Sequence, residues 1–176
     1  MGRRTVGGMT PNELLTEAIG RVLESVEGVL DGLDEEALTA RPTADANSIA
    51  WLIWHLTRVQ DDHVADVAEV EQTWTAQGYA DRFGLPFPVE EHGFGHTSEQ
   101  VGQVRGVPAG LLLDYYRATH QQTLDYLGTV GEDDLDRVVD TRWDPPVTLG
   151  VRLVSVVNDC TQHVGQAAYV KGLLGG

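Results

Sequence analysis

The chain has 176 residues, of which 41% are hydrophobic and 22% charged, so it can form a hydrophobic core and is not predicted to be disordered. Its net charge of −15 argues against binding to nucleic acid or to an anionic membrane surface, because both require basic clusters. The single cysteine excludes an intrachain disulfide, and no apolar run reaches the roughly 18 residues of a membrane span. These features predict a cytoplasmic protein.

Residues 1–8 are predicted to form a loose N-terminal tail, and no apolar segment follows them as it does in a signal peptide. Residues 9–176 are predicted to form one helical domain. Its first helix begins at Thr10-Pro11-Asn12-Glu13, where a threonine cap and a glutamate three residues later form a capping box. Apolar residues then recur at helical spacing as far as Gly32.

A second helix is predicted from about Ile49 to Trp74, after a connection that contains a short turn. Residues 75–107 lack periodicity and are rich in glycine, proline and aromatic residues, as is typical of a functional loop. Only residues 97–104 within them suggest a short capped helix.

The third helix is predicted from Pro108 to Leu127 and the fourth from about Thr148 to Leu174. The sequence shows no strand-like alternation. Four long helices with one long connection predict an all-α fold, specifically a four-helix bundle with a long crossover connection.

Two segments contain candidate metal ligands. Asp159 and His163 are four residues apart, so both side chains lie on one face of the fourth helix. His55 lies in the most apolar stretch of the chain, where an unpaired imidazole is costly. A carboxylate and two imidazoles suit zinc or another first-row divalent ion. The alternatives are a surface hydrogen bond between Asp159 and His163, and a core histidine at position 55.

The segment Asn47-Ser48-Ile49-Ala50-Trp51-Leu52-Ile53-Trp54-His55-Leu56, together with Asp159-x-x-x-His163-x-Gly165-Gln166, resembles the DinB-like superfamily. The resemblance is closest to the branch that contains mycothiol-dependent maleylpyruvate isomerase and related thiol transferases. It extends from Met9 to the end of the chain. It implies that His55, Asp159 and His163 bind one divalent metal, zinc or else nickel, with water completing the shell.

Helical spacing indicates further candidates around this site. Asp62 and Gln166 each lie seven residues beyond a candidate ligand, where they could orient an imidazole or bind substrate. Arg152 lies seven residues before Asp159 and could meet a substrate carboxylate. For each of them a solvated side chain is the competing interpretation.

The other histidines and the cysteine are weaker candidates. His63 is predicted to point away from His55, because eight residues rotate it by about 80° around the helix. His92 and His96 could form a lid or belong to an ordinary surface loop. His120 is predicted at the surface or its boundary, with a fourth metal contact as the alternative, and Cys160 as a buried, inert thiol. The core or a dimer surface is predicted for five aromatic residues: Trp51, Trp54, Tyr115, Tyr116 and Trp143.

Three hypotheses about function follow. The first, implied by the resemblance, is a metal-dependent enzyme that transfers a mycothiol-like, low-molecular-weight thiol to a small electrophile, or carries out a related isomerisation. The second is a non-catalytic, stress-related dimer whose metal stabilises the bundle. The third is a helical interaction module without metal. We expect a small-molecule substrate and a homodimer, and no nucleic-acid or membrane partner.

Overall fold

The computed structural model describes residues 8–175, and residues 1–7 of the predicted tail lie outside them. The elements in chain order are α1 (Pro11–Leu30), α2 (Glu35–Thr39), α3 (Ile49–Ala68), α4 (Thr73–Ala76), α5 (Tyr79–Phe83), α6 (Ser98–Val101), α7 (Ala109–Leu127), a 3₁₀ turn (Glu132–Asp136), β1 (Val138–Asp140), β2 (Val147–Thr148) and α8 (Leu149–Leu173). The long helices α1, α3, α7 and α8 form the bundle, which confirms the all-α prediction.

Several of the helices begin at residues whose side chains cap the first turn. Thr10 and Glu13 form the predicted capping box of α1, and Thr97 forms another at α6. The side chains of Ser48 and Thr148 accept hydrogen bonds from the first turns of α3 and α8. These bonds satisfy amide groups that have no partner within the helix, so they fix where each helix begins.

The predicted extension of the second helix to Trp74 is wrong, because α3 ends at Ala68. Glu69 adopts a left-handed conformation with φ of 57°, which stops the helix. The buried carboxylate of Asp61 then accepts hydrogen bonds from the amides of Thr73 and Trp74 at 2.9 and 2.8 Å. This contact begins α4 and places Trp74 in the core.

Besides the helices, β1 and β2 form a short two-stranded antiparallel hairpin before α8, which the sequence did not indicate. Strands of three and two residues are too short to show an alternating pattern. No helix within residues 8–175 has the length and apolar character needed to cross a membrane.

Helix α3 is the central element, since every residue from 49 to 58 is buried. It packs against α8 and α7, and α2 contacts it as well. Trp51, Trp54, Tyr115 and Tyr116 lie in the core as predicted, whereas Trp143 is 66% exposed and does not. Polar groups on α3 therefore need partners inside the protein.

Candidate metal centre

Helices α3 and α8 bring the three candidate ligands together. One ligand atom from each of His55, Asp159 and His163 lies within 4.8 Å of the others. The two imidazole rings are 4.6 Å apart between centroids and nearly perpendicular, at 76°. His55 is 4% exposed and the other two are half-buried. Helix packing thus unites residues more than 100 positions apart.

The ring of His55 is fixed in orientation by the long connection. Its Nδ1–H donates a hydrogen bond to the backbone carbonyl of His92, and the ring stacks on Trp51 at 4.6 Å and 13°. The proton on Nδ1 leaves the lone pair of Nε2 free to bind a metal.

The loop reaches His55 closely because residue 93 is glycine. Gly93 has φ of 93°, and a Cβ atom there would lie 2.9 Å from the Trp54 ring and 3.0 Å from His55 Nδ1. Any other residue would therefore push the His92 carbonyl away from the imidazole.

His163 on α8, like His55, has its Nδ1 atom hydrogen-bonded to a backbone carbonyl. His163 Nδ1–H donates to the backbone carbonyl of Asp159 at 2.9 Å, so its Nε2 is also free. The Asp159 Oδ2 atom is 3.3 Å from His163 Nδ1, but it is buried without a hydrogen bond of normal geometry among the described residues. A buried carboxylate oxygen without a partner is costly. A cation at this point would satisfy it, so the three residues fit a divalent ion such as zinc.

The two imidazoles have opposite pKa shifts. Burial lowers the pKa of His55 to about 4, and the neighbouring His163 adds to this effect. Burial also acts to lower the pKa of His163, but the hydrogen bond and the charge of Asp159 outweigh it and raise that pKa. His55 is therefore neutral at neutral pH, as metal binding requires.

These shifts predict how the metal-free protein responds to acid. Because the folded pKa of His55 lies below the unfolded value, its contribution to stability is complete above about pH 6.5 and is lost between about pH 6.5 and 4. We expect the free energy of unfolding to fall there by about 2 to 3 kcal/mol. The contribution of His163 has the opposite sign and is lost as pH rises through its raised pKa.

Urea unfolding across this pH range measures the effect, and NMR titration assigns it to each ring. In His55→Gln the slope between about pH 6.5 and 4 should become shallower. A ring of His55 that titrates near its ordinary value in the folded protein would contradict the prediction.

A pocket of about 590 Å³ opens beside the candidate ligands and is lined by His55, Val59, His63, His92, Phe94, Asp140, Arg142, Trp143, Arg152 and Asp159. His63 therefore lines the same pocket as His55, although it is not one of the clustered ligands. It points away from the ligand cluster, as predicted, and contacts Arg152 of α8 instead.

The other candidates around the site differ in their placement. Arg152 lines the pocket, as its spacing from Asp159 suggested. Asp62 accepts a hydrogen bond from Gln72 and lies 3.8 Å from His63, so it contacts the second histidine of α3 rather than His55. Gln166 is exposed on α8 and does not line the pocket.

The remaining histidines are packed more tightly than expected. The side chain of His96 is almost fully buried against Trp54 and Phe87, so the surface-loop interpretation is wrong for it. His120 is buried beside Tyr116 and is not one of the clustered ligands. Cys160 is fully buried, as predicted, and burial raises the pKa of its thiol.

Sequence reasoning missed the hairpin residues Asp140 and Arg142, which line the pocket, and the backbone carbonyl of His92. The two glycines around Phe94, between two histidines, were the available signal of a close backbone approach. No comparable signal marks Asp140 or Arg142, because their position depends on how the hairpin packs.

A helical bundle that gathers two imidazoles and a carboxylate between two core helices agrees with the DinB-like class that the sequence resembles. Within that class, the chain belongs to the mycothiol-S-transferase family, whose model matches residues 14–176.

The chain is also similar to a solved structure, described as the crystal structure of a conserved protein of locus from Enterococcus faecalis. The two share 32% sequence identity with a TM-score of 0.89, over 96% of this chain and 100% of the other. The comparison with curated proteins gives no match.

Proposed function

We propose that the protein is a metal-dependent S-transferase that joins mycothiol, or a closely related low-molecular-weight thiol, to a small electrophile. The supporting observation is the cluster of His55, Asp159 and His163, of which His55 and Asp159 line an open pocket. A structural metal site is normally closed by four protein ligands, whereas a catalytic site keeps a position for substrate. Membership of the mycothiol-S-transferase family supports the choice of thiol.

Each group of residues around the pocket would have a separate role in this reaction. His55, Asp159 and His163 would hold a divalent ion, with zinc preferred and nickel as the second choice. When bound, the ion would lower the pKa of the thiol and stabilise the thiolate. The His92 carbonyl keeps His55 in the tautomer that can bind a metal. Val59, Phe94 and Trp143 provide apolar walls against which an electrophile can be held.

The reaction is a simple exchange of bonds. With an aryl chloride, the sulfur forms a bond to the ring carbon, the carbon–chlorine bond breaks, and chloride leaves with the electron pair. The thiol proton passes to solvent. The products are one thioether and one equivalent of hydrochloric acid, so no oxidant or reductant is required.

The test uses mycothiol and 1-chloro-2,4-dinitrobenzene, with zinc-loaded, nickel-loaded and metal-free protein. We expect thioether formation above the uncatalysed rate only with metal, and a fall of at least about 100-fold in Asp159→Ala, because the site loses one of three ligands. The matched control is Asp66→Ala, which removes a carboxylate from the exposed face of α3.

The proposal would be contradicted if zinc-loaded or nickel-loaded protein gave only the uncatalysed rate with mycothiol and a range of electrophiles. Full activity in protein stripped of metal would contradict the metal requirement while leaving thiol transfer in place.

A further inference from the structure

The pocket beside the candidate metal ligands has a second polar group of residues. Arg152 lies seven residues before Asp159 on α8, which is about 10 Å along the helix axis. It faces Asp140 and Arg142 from the β1–β2 hairpin and His63 from α3. We call Asp140, Arg142, Arg152 and His63 the basic cluster. On α8, Arg152 and His163 lie on opposite sides of Asp159 along the helix.

The two guanidinium groups of the basic cluster share the carboxylate of Asp140. Asp140 Oδ2 accepts hydrogen bonds from Arg142 and from Arg152, each at 2.8 Å. Its Oδ1 accepts two more from the Arg142 backbone amide and Nε, at 3.0 and 2.9 Å. The hydrogen bonds from Arg142 hold the pKa of Asp140 well below its usual range, so it is ionised. Within the cluster one carboxylate thus faces two guanidinium groups, while Asp62, 3.8 Å from His63, and Asp159 on the same pocket wall add negative charge around it.

The cluster also has unused hydrogen-bond donors. Arg152 Nη1 donates to His63 Nδ1 at 3.4 Å, so the proton of the neutral His63 ring is on Nε2. Arg152 Nε is buried without a partner among the described residues. Arginine has no acceptor, so a molecule in the pocket meets donors and positive charge at the exposed guanidinium of Arg142 and at the partly exposed one of Arg152.

Two exposed aromatic residues line the same pocket. Phe94 is 83% exposed and Trp143 is 66% exposed, and both contribute to its wall together with Val59. Large apolar side chains exposed together next to polar groups are typical of a binding site. The pocket therefore combines apolar walls with two guanidinium groups.

We propose that the basic cluster binds the carboxylate of an anionic electrophile and directs the reactive carbon toward His55, Asp159 and His163. Naming this ligand as the electrophile rests on the proposed function. The binding of a carboxylate does not depend on it. A guanidinium group and a carboxylate form charge-assisted hydrogen bonds of defined geometry, so Arg152 and Arg142 select for charge.

The test compares 4-chloro-3-nitrobenzoate with 4-chloro-3-nitrobenzamide, which share a ring and a leaving group and differ in charge. Calorimetric titration without thiol, in metal-free and zinc-loaded protein, measures binding independently of turnover. We expect the benzoate to bind at least about tenfold more tightly than the amide in both states, as a charged hydrogen bond implies.

Arg152→Met should abolish this preference, and Arg142→Met should reduce it. The matched control is Arg21→Met, which removes the same charge from the exposed face of α1 and should retain the preference. Arg142 is exposed, so its variant keeps the test decisive if Arg152→Met fails to fold. Equal affinities for the two probes in the native protein would overturn the proposal, as would an unchanged preference in both variants.

Two further outcomes separate this inference from the proposed function. A preference seen only with zinc bound would place the carboxylate on the metal and overturn the basic cluster as its site. Preferential binding of the benzoate without any thiol transfer would contradict the proposed function and support the anion site. Equal binding of the two probes together with thiol transfer to both would support the proposed function and contradict the anion site.

Discussion

Replacing His163 with alanine is expected to reduce the bound metal from about one ion per chain to nearly none. The site offers three ligand groups, and the ring of His163 lies 4.6 Å from that of His55 between centroids. Loss of an outer-shell partner already lowers metal affinity by about 10- to 100-fold, so loss of a direct ligand should exceed about 100-fold. Elemental analysis of protein purified without a histidine tag measures the stoichiometry.

The matched control is Gln162→Ala, which truncates the exposed neighbour of His163 on the same helix. Circular dichroism should show unchanged helicity in both variants, because the core contacts of Cys160, Val164 and Ala167 are retained. Metal bound at equal stoichiometry and affinity in His163→Ala would remove this residue from the site. Absence of metal in the native protein, even after reconstitution, would contradict the metal site as a whole.

Replacing Arg58 with methionine is expected to lower the free energy of unfolding by about 3 to 5 kcal/mol, the range for breaking a buried ion pair. Arg58 is fully buried, and its guanidinium lies 3.9 Å from Asp61 and 5.0 Å from the Trp74 ring centroid. It donates to the Gln72 side chain at 2.8 Å. Its loss leaves Asp61 as a buried carboxylate without its cation.

Urea unfolding at neutral pH measures this change, with Arg21→Met as the exposed control. Arg21 pairs with glutamates on the surface of α1, so its removal should change stability by no more than about 0.5 kcal/mol. A loss below about 1 kcal/mol in Arg58→Met would show that the pair contributes little to the fold.

The same arginine connects the core to the candidate metal centre. It donates hydrogen bonds to the backbone carbonyls of Glu91 and Val89, at 3.2 and 3.4 Å. His92, which follows Glu91 in the chain, provides the carbonyl that orients His55. We therefore expect Arg58→Met to weaken metal binding as well, by about 10- to 100-fold, as loss of an outer-shell contact does.

Much of the fold could be predicted because its signals are local. Capping boxes at Thr10 and Thr97 and apolar residues at helical spacing located most of the helices. The Asp159–His163 pair was visible for the same reason, since residues four apart on a helix share a face. His55 was conspicuous as a polar residue in an apolar run. Its convergence with the α8 pair followed from the resemblance to DinB-like proteins rather than from spacing.

Other features were decided only by tertiary structure. The end of α3 at Ala68 depends on the capture of the Thr73 and Trp74 amides by Asp61, which no helical periodicity indicates. The partner of His55 lies 37 residues away, in a segment without a pattern. The basic cluster joins a hairpin to two helices. Local propensity determines where helices begin, but hydrogen bonds between distant segments depend on how the packed elements meet, and a single sequence carries no periodic trace of them.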